Sequence, residues 1–221
     1  MAKSANDSRQ RIGVLISGRG SNLQSIIDAI AERRLDATLA VVVSNRAEAA
    51  GLNRAKEAGI EAIHLSPEAY ADRDSYDAAI ADVLRARQVD LICLAGYMRI
   101  VGPKLLAAFP NKVLNIHPSL LPAFPGLHAQ QQALEWGVAI SGATVHVATG
   151  GLDDGPIVVQ AAVPVHADDT VERLSARILV EEHRIYPEAI QIVLNGGWTV
   201  AGRCFKPGPA EASAPRLPAG N

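Results

Sequence analysis

A chain of 221 residues is long enough for one large α/β domain or two small ones, and its 48% apolar content can fill a substantial core. The net charge of −2 excludes a global pull toward nucleic acid or anionic membrane, so any anionic ligand must be held by a local site. Two distant cysteines, Cys93 and Cys204, show neither metal nor disulfide spacing, which fits a reducing cytoplasmic setting.

Residues 1–10 read as a flexible tail without the apolar stretch of a secretory signal. A first strand is predicted over residues 12–17, then a helix over 21–33 with Leu23, Ile26, Ile27 and Ile30 on one face. A strand at 39–44 precedes a helix at 47–58 that Gly59 ends. A strand at 61–65 is followed by a helix at 74–88, whose Tyr76, Ile80, Val83 and Leu84 point inward. The strand at 90–95 is wholly apolar after its first residue, as a central parallel strand requires. A short helix at 103–109, started by proline, leads to a strand at 113–117. The rhythm then changes. A helix at 128–136 precedes strands at 143–149 and 157–165, joined by a Gly/Asp turn and read as an antiparallel pair. A long helix at 170–194, a last strand at 198–205 and a tail at 206–221 rich in Pro, Ala and Gly complete the chain. No apolar run approaches membrane-spanning length. The pattern predicts an α/β fold in a single domain over 11–205: a doubly wound, mostly parallel, Rossmann-like sheet with antiparallel strands added in the C-terminal half.

The loop Ser17-Gly18-Arg19-Gly20-Ser21-Asn22 joins the first strand to the first helix. Glycines let backbone approach a ligand closely, and a helix N-terminus offers unpaired N–H groups and partial positive charge. This is a phosphate cradle in which the Ser21 and Asn22 side chains add donors. It lacks the Lys-Ser/Thr ending of a Walker A loop. As a dinucleotide fingerprint it is poor: Leu23 takes the third glycine position, and Ser44-Asn45-Arg46 replaces the acid after strand two. Arg46 on a 2′-phosphate keeps an NADP reductase open, as does a tight turn that binds nothing.

Leu114-Asn115-Ile116-His117-Pro118 ends the fifth strand, and Leu152-Asp153-Asp154-Gly155-Pro156 lies in the later turn. Asn115 and His117 are two apart, so on an extended segment they share a face, and Pro118 keeps His117 extended. An Asn amide can donate to an oxyanion without changing charge, an effect worth about 3–4 kcal/mol in comparable sites. His117 can exchange a proton near neutral pH. Asp153 beside the imidazole would favour imidazolium and orient the ring. His146, between Val145 and Val147, either meets this face or is a hydrogen-bonded core residue. His117, His146 and Asp153 as a metal site also stays open, without an H-x-x-x-H signature to support it.

Several stretches carry a resemblance: Leu15-Ile16-Ser17-Gly18-Arg19-Gly20-Ser21-Asn22-Leu23, Leu94-Ala95-Gly96-Tyr97-Met98-Arg99-Ile100, Asn115-Ile116-His117-Pro118-Ser119-Leu120-Leu121-Pro122, Phe124-Pro125-Gly126-Leu127-His128 and Leu152-Asp153-Asp154-Gly155-Pro156. They resemble the phosphoribosylglycinamide formyltransferase family of purine biosynthesis, within the folate-dependent formyltransferase superfamily, over residues 11–205. The resemblance implies transfer of a formyl group from the co-substrate 10-formyltetrahydrofolate to the amine of glycinamide ribonucleotide. It implies no metal, no nucleic-acid or membrane partner, and a cytoplasmic monomer or homodimer. By resemblance, Asn115, His117 and Asp153 would be catalytic. Gly20, Ser21 and Asn22 would bind the ribonucleotide phosphate, and Glu182 would meet the glycinamide amine. Arg73, Met98, Arg99, Ile100, Val101 and Thr149, with Asn115 and Asp153, would form the folate site. Two departures stand out: Asp154 replaces a glycine found in some relatives, and Leu179-Val180 is more apolar than its counterparts. A 10-formyltetrahydrofolate hydrolase or a non-catalytic nucleotide-binding module are the alternatives. The sequence shows neither the N-terminal regulatory domain expected of that hydrolase nor the C-terminal RNA-binding domain of a methionyl-tRNA formyltransferase.

Overall fold

Residues 9–208 are described by the computed structural model of the chain. The β-branched run β1 (Arg11–Ile16) is paired in parallel with β2 (Thr38–Ser44) on one side and β4 (Leu91–Leu94) on the other. β3 (Ala62–His64) extends the sheet beyond β2, and β5 (Val113–His117) beyond β4, both in parallel. Beyond β5 lie the antiparallel β6 (Ile140–Val147) and β7 (Ile157–Pro164), then a small hairpin of β8 (Thr199–Ala201) and β9 (Cys204–Lys206). The spatial order is β3-β2-β1-β4-β5-β6-β7-β9-β8. Strand order reverses between β1 and β4, and ligands of open α/β sheets bind outside the carboxyl ends of the strands at such a point.

Side chains alternate across the sheet and so build two cores. Ile12, Val14 and Ile16 of β1 pack with α1 (Ser21–Ala31), α2 (Ala50–Glu57) and the long α6 (Val171–Asn195). Leu15 faces the other way, onto α3 (Arg73–Ala86) and α4 (Pro103–Ala108). α5 (Ala129–Trp136) contributes Ala133 to the first core. On β5 the same alternation sends Leu114 and Ile116 into the first core and Val113 into the second. Asn115 and His117 therefore follow Val113, past the end of the apolar cover.

The mixed sheet, with helices on both faces and antiparallel strands in the C-terminal half, is the predicted fold class. Its details differ from expectation in four places. The last strand is a hairpin: Gly202, at a φ of 59°, turns the chain so that Ala201 pairs with Cys204. β6 starts earlier than predicted, at Ile140, and α2 starts later, at Ala50. A 3-10 turn, Pro67–Ala69, was not expected. The predicted tails at 1–10 and 206–221 lie for the most part outside the described residues. No helix among the described residues is long and apolar enough to cross a membrane.

At the entry to α1, Gly20 adopts a φ of 72°, and a Cβ there would lie 2.7 Å from the Gly51 Cα. An L side chain meets both left-handed backbone strain and a backbone clash. Gly20→Ala is expected to destabilise the fold by about 1–3 kcal/mol, read as a lower urea midpoint; an unchanged midpoint would contradict this account.

Candidate active site

The loops that follow β1, β4 and β5, together with the β6–β7 connection, bring most of the predicted site residues to the carboxyl end of the sheet. In the glycine loop, Gly20 is the N-cap of α1 and no side chain caps the helix, so first-turn N–H groups are open to an anion. Ser21 is half-buried beside them. The Asn22 amide donates one of its two N–H groups to Glu182 Oε2 at 2.7 Å within the interior, which joins the glycine loop to α6. Glu182, on α6, is 7% exposed, and burial pushes its carboxyl up against the opposing effect of the Asn22 bond. Ser17 Oγ donates to Asn45 Oδ1 at 2.6 Å and accepts from the Met98 N–H at 2.8 Å, tying the glycine loop to the loop after β4.

Asp153 is the meeting point of the second group. Its Oδ2 lies 3.3 Å from His117 Nδ1 and accepts from the Gly126 N–H at 2.8 Å. Its Oδ1 accepts from Asn115 Nδ2 at 3.3 Å and lies 3.6 Å from His146 Nε2. Asp153 holds a left-handed backbone, φ 49°, which aims the carboxylate at the end of β5. Asp154 turns elsewhere and accepts from the Thr149 hydroxyl, so the acidic doublet divides into one site carboxylate and one loop clasp. Burial alone would raise Asp153, but the flanking His146, the Gly126 N–H and His117 together hold its carboxyl below the usual value.

His117 Nε2 donates to the Phe124 carbonyl at 2.8 Å, leaving Nδ1 toward Asp153. The Phe124 carbonyl and the carboxylate both favour the charged ring, yet burial outweighs them and His117 lies below its ordinary value. Nδ1 is the ring nitrogen that faces the Asp153 carboxylate, so the pair is placed to share a proton. His146 stands opposite Asn115 in the β5–β6 register. Its Nδ1 lies 3.2 Å from the Val147 carbonyl and its Nε2 3.1 Å from Asn115 Nδ2. His146 is thus a site residue that sequence reasoning left undecided; its alternation with Val145 and Val147 was the available signal. His117, His146 and Asp153 do not converge as metal ligands, and no group of three or more His, Cys, Asp or Glu among the described residues could hold a metal ion.

The loop after β4 presents Met98, Arg99 and Ile100 to solvent, with Met98 61% and Ile100 58% exposed, whereas Val101 is buried. Arg73, exposed at the start of α3, reaches the end of this loop at Gly102. Thr149 is half-buried at the root of the β6–β7 connection, and Leu127 and Leu152 add exposed apolar surface on the neighbouring turns. The site therefore combines an anion-ready helix start, a buried carboxylate, an amide–imidazole–carboxylate cluster and a rim with apolar side chains. Such a set suits acyl transfer to an amine by positioning and electrostatics.

Residues 10–190 match the formyl transferase family. The chain is similar to phosphoribosylglycinamide formyltransferase of Escherichia coli strain K12, 45% identical over 84% of this chain and 87% of that protein. It is also similar to the trifunctional purine biosynthetic protein adenosine-3 of Homo sapiens, at 46% identity over 85% of the chain. This chain spans only 19% of that protein's length. Among solved structures, glycinamide ribonucleotide transformylase 1 from Symbiobacterium toebii superposes with a TM-score of 0.89 at 56% identity, covering 94% of this chain and 98% of that one.

Glu182 gives a stability test of the site. Because its folded carboxyl is raised above the ordinary 4.5, the folded state keeps a proton that the unfolded chain loses, and stability falls as pH rises through that window. At neutral pH the charged form is destabilising. Glu182→Gln is therefore expected to raise Tm by about 2–4 °C or more at pH 7.5, with the gain shrinking as pH is lowered toward 4.5. A Tm at pH 7.5 equal to or below that of the native chain would refute the assignment.

Proposed function

We propose that this chain, which belongs to the formyl transferase family, transfers the formyl group of 10-formyltetrahydrofolate to the amine of glycinamide ribonucleotide. The products are formylglycinamide ribonucleotide and tetrahydrofolate, a step of de novo purine biosynthesis, carried by one domain over residues 11–205 acting in the cytoplasm on two small molecules. The single observation that carries the reading is the Asp153 carboxylate shared between Asn115 and His117, at 3.3 Å from each.

In this reading Gly20, Ser21 and the first-turn N–H groups of α1 hold the ribonucleotide phosphate. Glu182 holds the glycinamide amine. Met98, Arg99, Ile100, Val101, Arg73 and Thr149 surround the folate. The neutral amine attacks the formyl carbon, a C–N bond forms, and the carbonyl pair moves onto oxygen. Asn115 Nδ2 exchanges its longer contact, to Asp153, for that oxyanion, while His146 Nε2 keeps the amide from rotating. The proton lost by the amine passes through water to the Asp153–His117 pair, and the imidazolium so formed sits against the carboxylate. His117 then returns the proton to the folate nitrogen, which leaves as the tetrahedral centre collapses. No covalent enzyme intermediate is needed.

Purified protein is expected to release tetrahydrofolate only when 10-formyltetrahydrofolate and glycinamide ribonucleotide are both present, followed by absorbance. Release without the nucleotide would point to a hydrolase instead. His117→Ala is expected to lower kcat by about 10²–10⁴-fold while calorimetric binding of the ribonucleotide survives. Turnover retained in that variant would remove His117 from the mechanism.

A further inference from the structure

We propose that Asp77 is a positioning residue for the folate side of the site, setting the loop 96–102 through its bond to the Gly102 N–H. The inference rests on the reading of that loop as part of the folate pocket. Asp77 lies on the inward side of α3, between Tyr76 and Ile80 in sequence, and is 3% exposed. Its Oδ2 accepts from the Gly102 N–H at 2.7 Å. A residue that served packing alone would be apolar at this depth, as Ile80 and Leu84 are on the same helix. Burying a carboxylate is costly unless it gains a specific partner, and here the partner is the backbone of a loop 25 residues away.

The fit at that contact is close. A Cβ at Gly102 would stand 2.2 Å from Asp77 Oδ2 and 2.9 Å from Arg73 Nε, so glycine brings the loop backbone against the carboxylate with the Arg73 guanidinium alongside. Gly102 is also the N-cap of α4, so the bond fixes where the loop ends and the helix begins. At its other end the loop is held by Ser17, whose N–H donates to the Gly96 carbonyl at 3.2 Å and whose hydroxyl accepts from the Met98 N–H. Between these anchors Arg99 lies over the Tyr76 ring, 5.3 Å from its centroid. Asp77 thus acts through the placement of Val101 and Arg73 rather than through any ligand atom.

The test compares the native chain with Asp77→Ala and Asp77→Asn. Asp77→Ala is expected to raise KM for 10-formyltetrahydrofolate about tenfold, equivalent to about 1.4 kcal/mol, with KM for glycinamide ribonucleotide within about twofold. It should also speed hydrogen exchange across residues 96–102. Asp77→Asn keeps an oxygen acceptor for the Gly102 N–H and should restore all three readings. An unchanged folate KM in Asp77→Ala, an equal rise in both KM values, or no rescue by Asp77→Asn overturns the proposal. Should Asp77→Ala fail to fold, Asp77→Ser takes its place with the same readings. Native protein that releases no tetrahydrofolate defeats the functional reading alone, and the exchange rates then decide whether Asp77 holds the loop.

Discussion

A carboxylate placed among two imidazoles and an amide, and largely withdrawn from water, constrains everything around it. Asp153 stays ionised because the Gly126 N–H, His117 and His146 outweigh the effect of burial. Each of these partners comes from a different segment: the end of β5, the end of the antiparallel β6 and the turn after Phe124. The β5–β6 pairing, the turn at 121–126 and the left-handed backbone at Asp153 all serve to bring them together. Low local dielectric strengthens these contacts and makes an unpaired member costly, so the cluster acts as a unit rather than as separable residues.

The acceptor side follows an opposite electrostatic logic. Glu182 accepts from the Asn22 amide, and burial raises its carboxyl, whereas Asp153 is lowered. In the proposed reaction, two carboxyls with opposed shifts suit the two tasks given to them, one meeting an amine and the other handling a proton. Asn22 Oδ1, in the first turn of α1, is buried without a partner among the described residues. Both features cost stability, as groups arranged for chemistry commonly do.

Much of this was legible from residue order. β5 was predicted with its observed bounds, because an apolar run closed by His-Pro leaves little latitude. Asn115 and His117 share a face for the reason that period two demands. The division of labour between Asp153 and Asp154 was not legible, since it depends on a φ of 49° and on the Thr149 hydroxyl. His146 required the register of two strands 31 residues apart at the contact with Asn115. The lowering of His117 depends on burial, which no local pattern reports. The split of the final strand turned on Gly202, whose turn-forming role competes with the β-branched and aromatic residues around it.

The close approach of Gly20 and Gly51 has a consequence beyond sterics. α1 begins at Ser21 and α2 at Ala50, and the Gly51 N–H meets the Gly18 carbonyl at 3.0 Å, so two helices start within one patch of backbone. Their macrodipoles direct two partial positive ends toward the same loop, where each contributes about half an elementary charge. Arg54 of α2 reinforces the patch by donating to the Arg19 carbonyl at 2.9 Å. Two helices are thus aimed at one loop, and an almost neutral chain acquires a local positive field there.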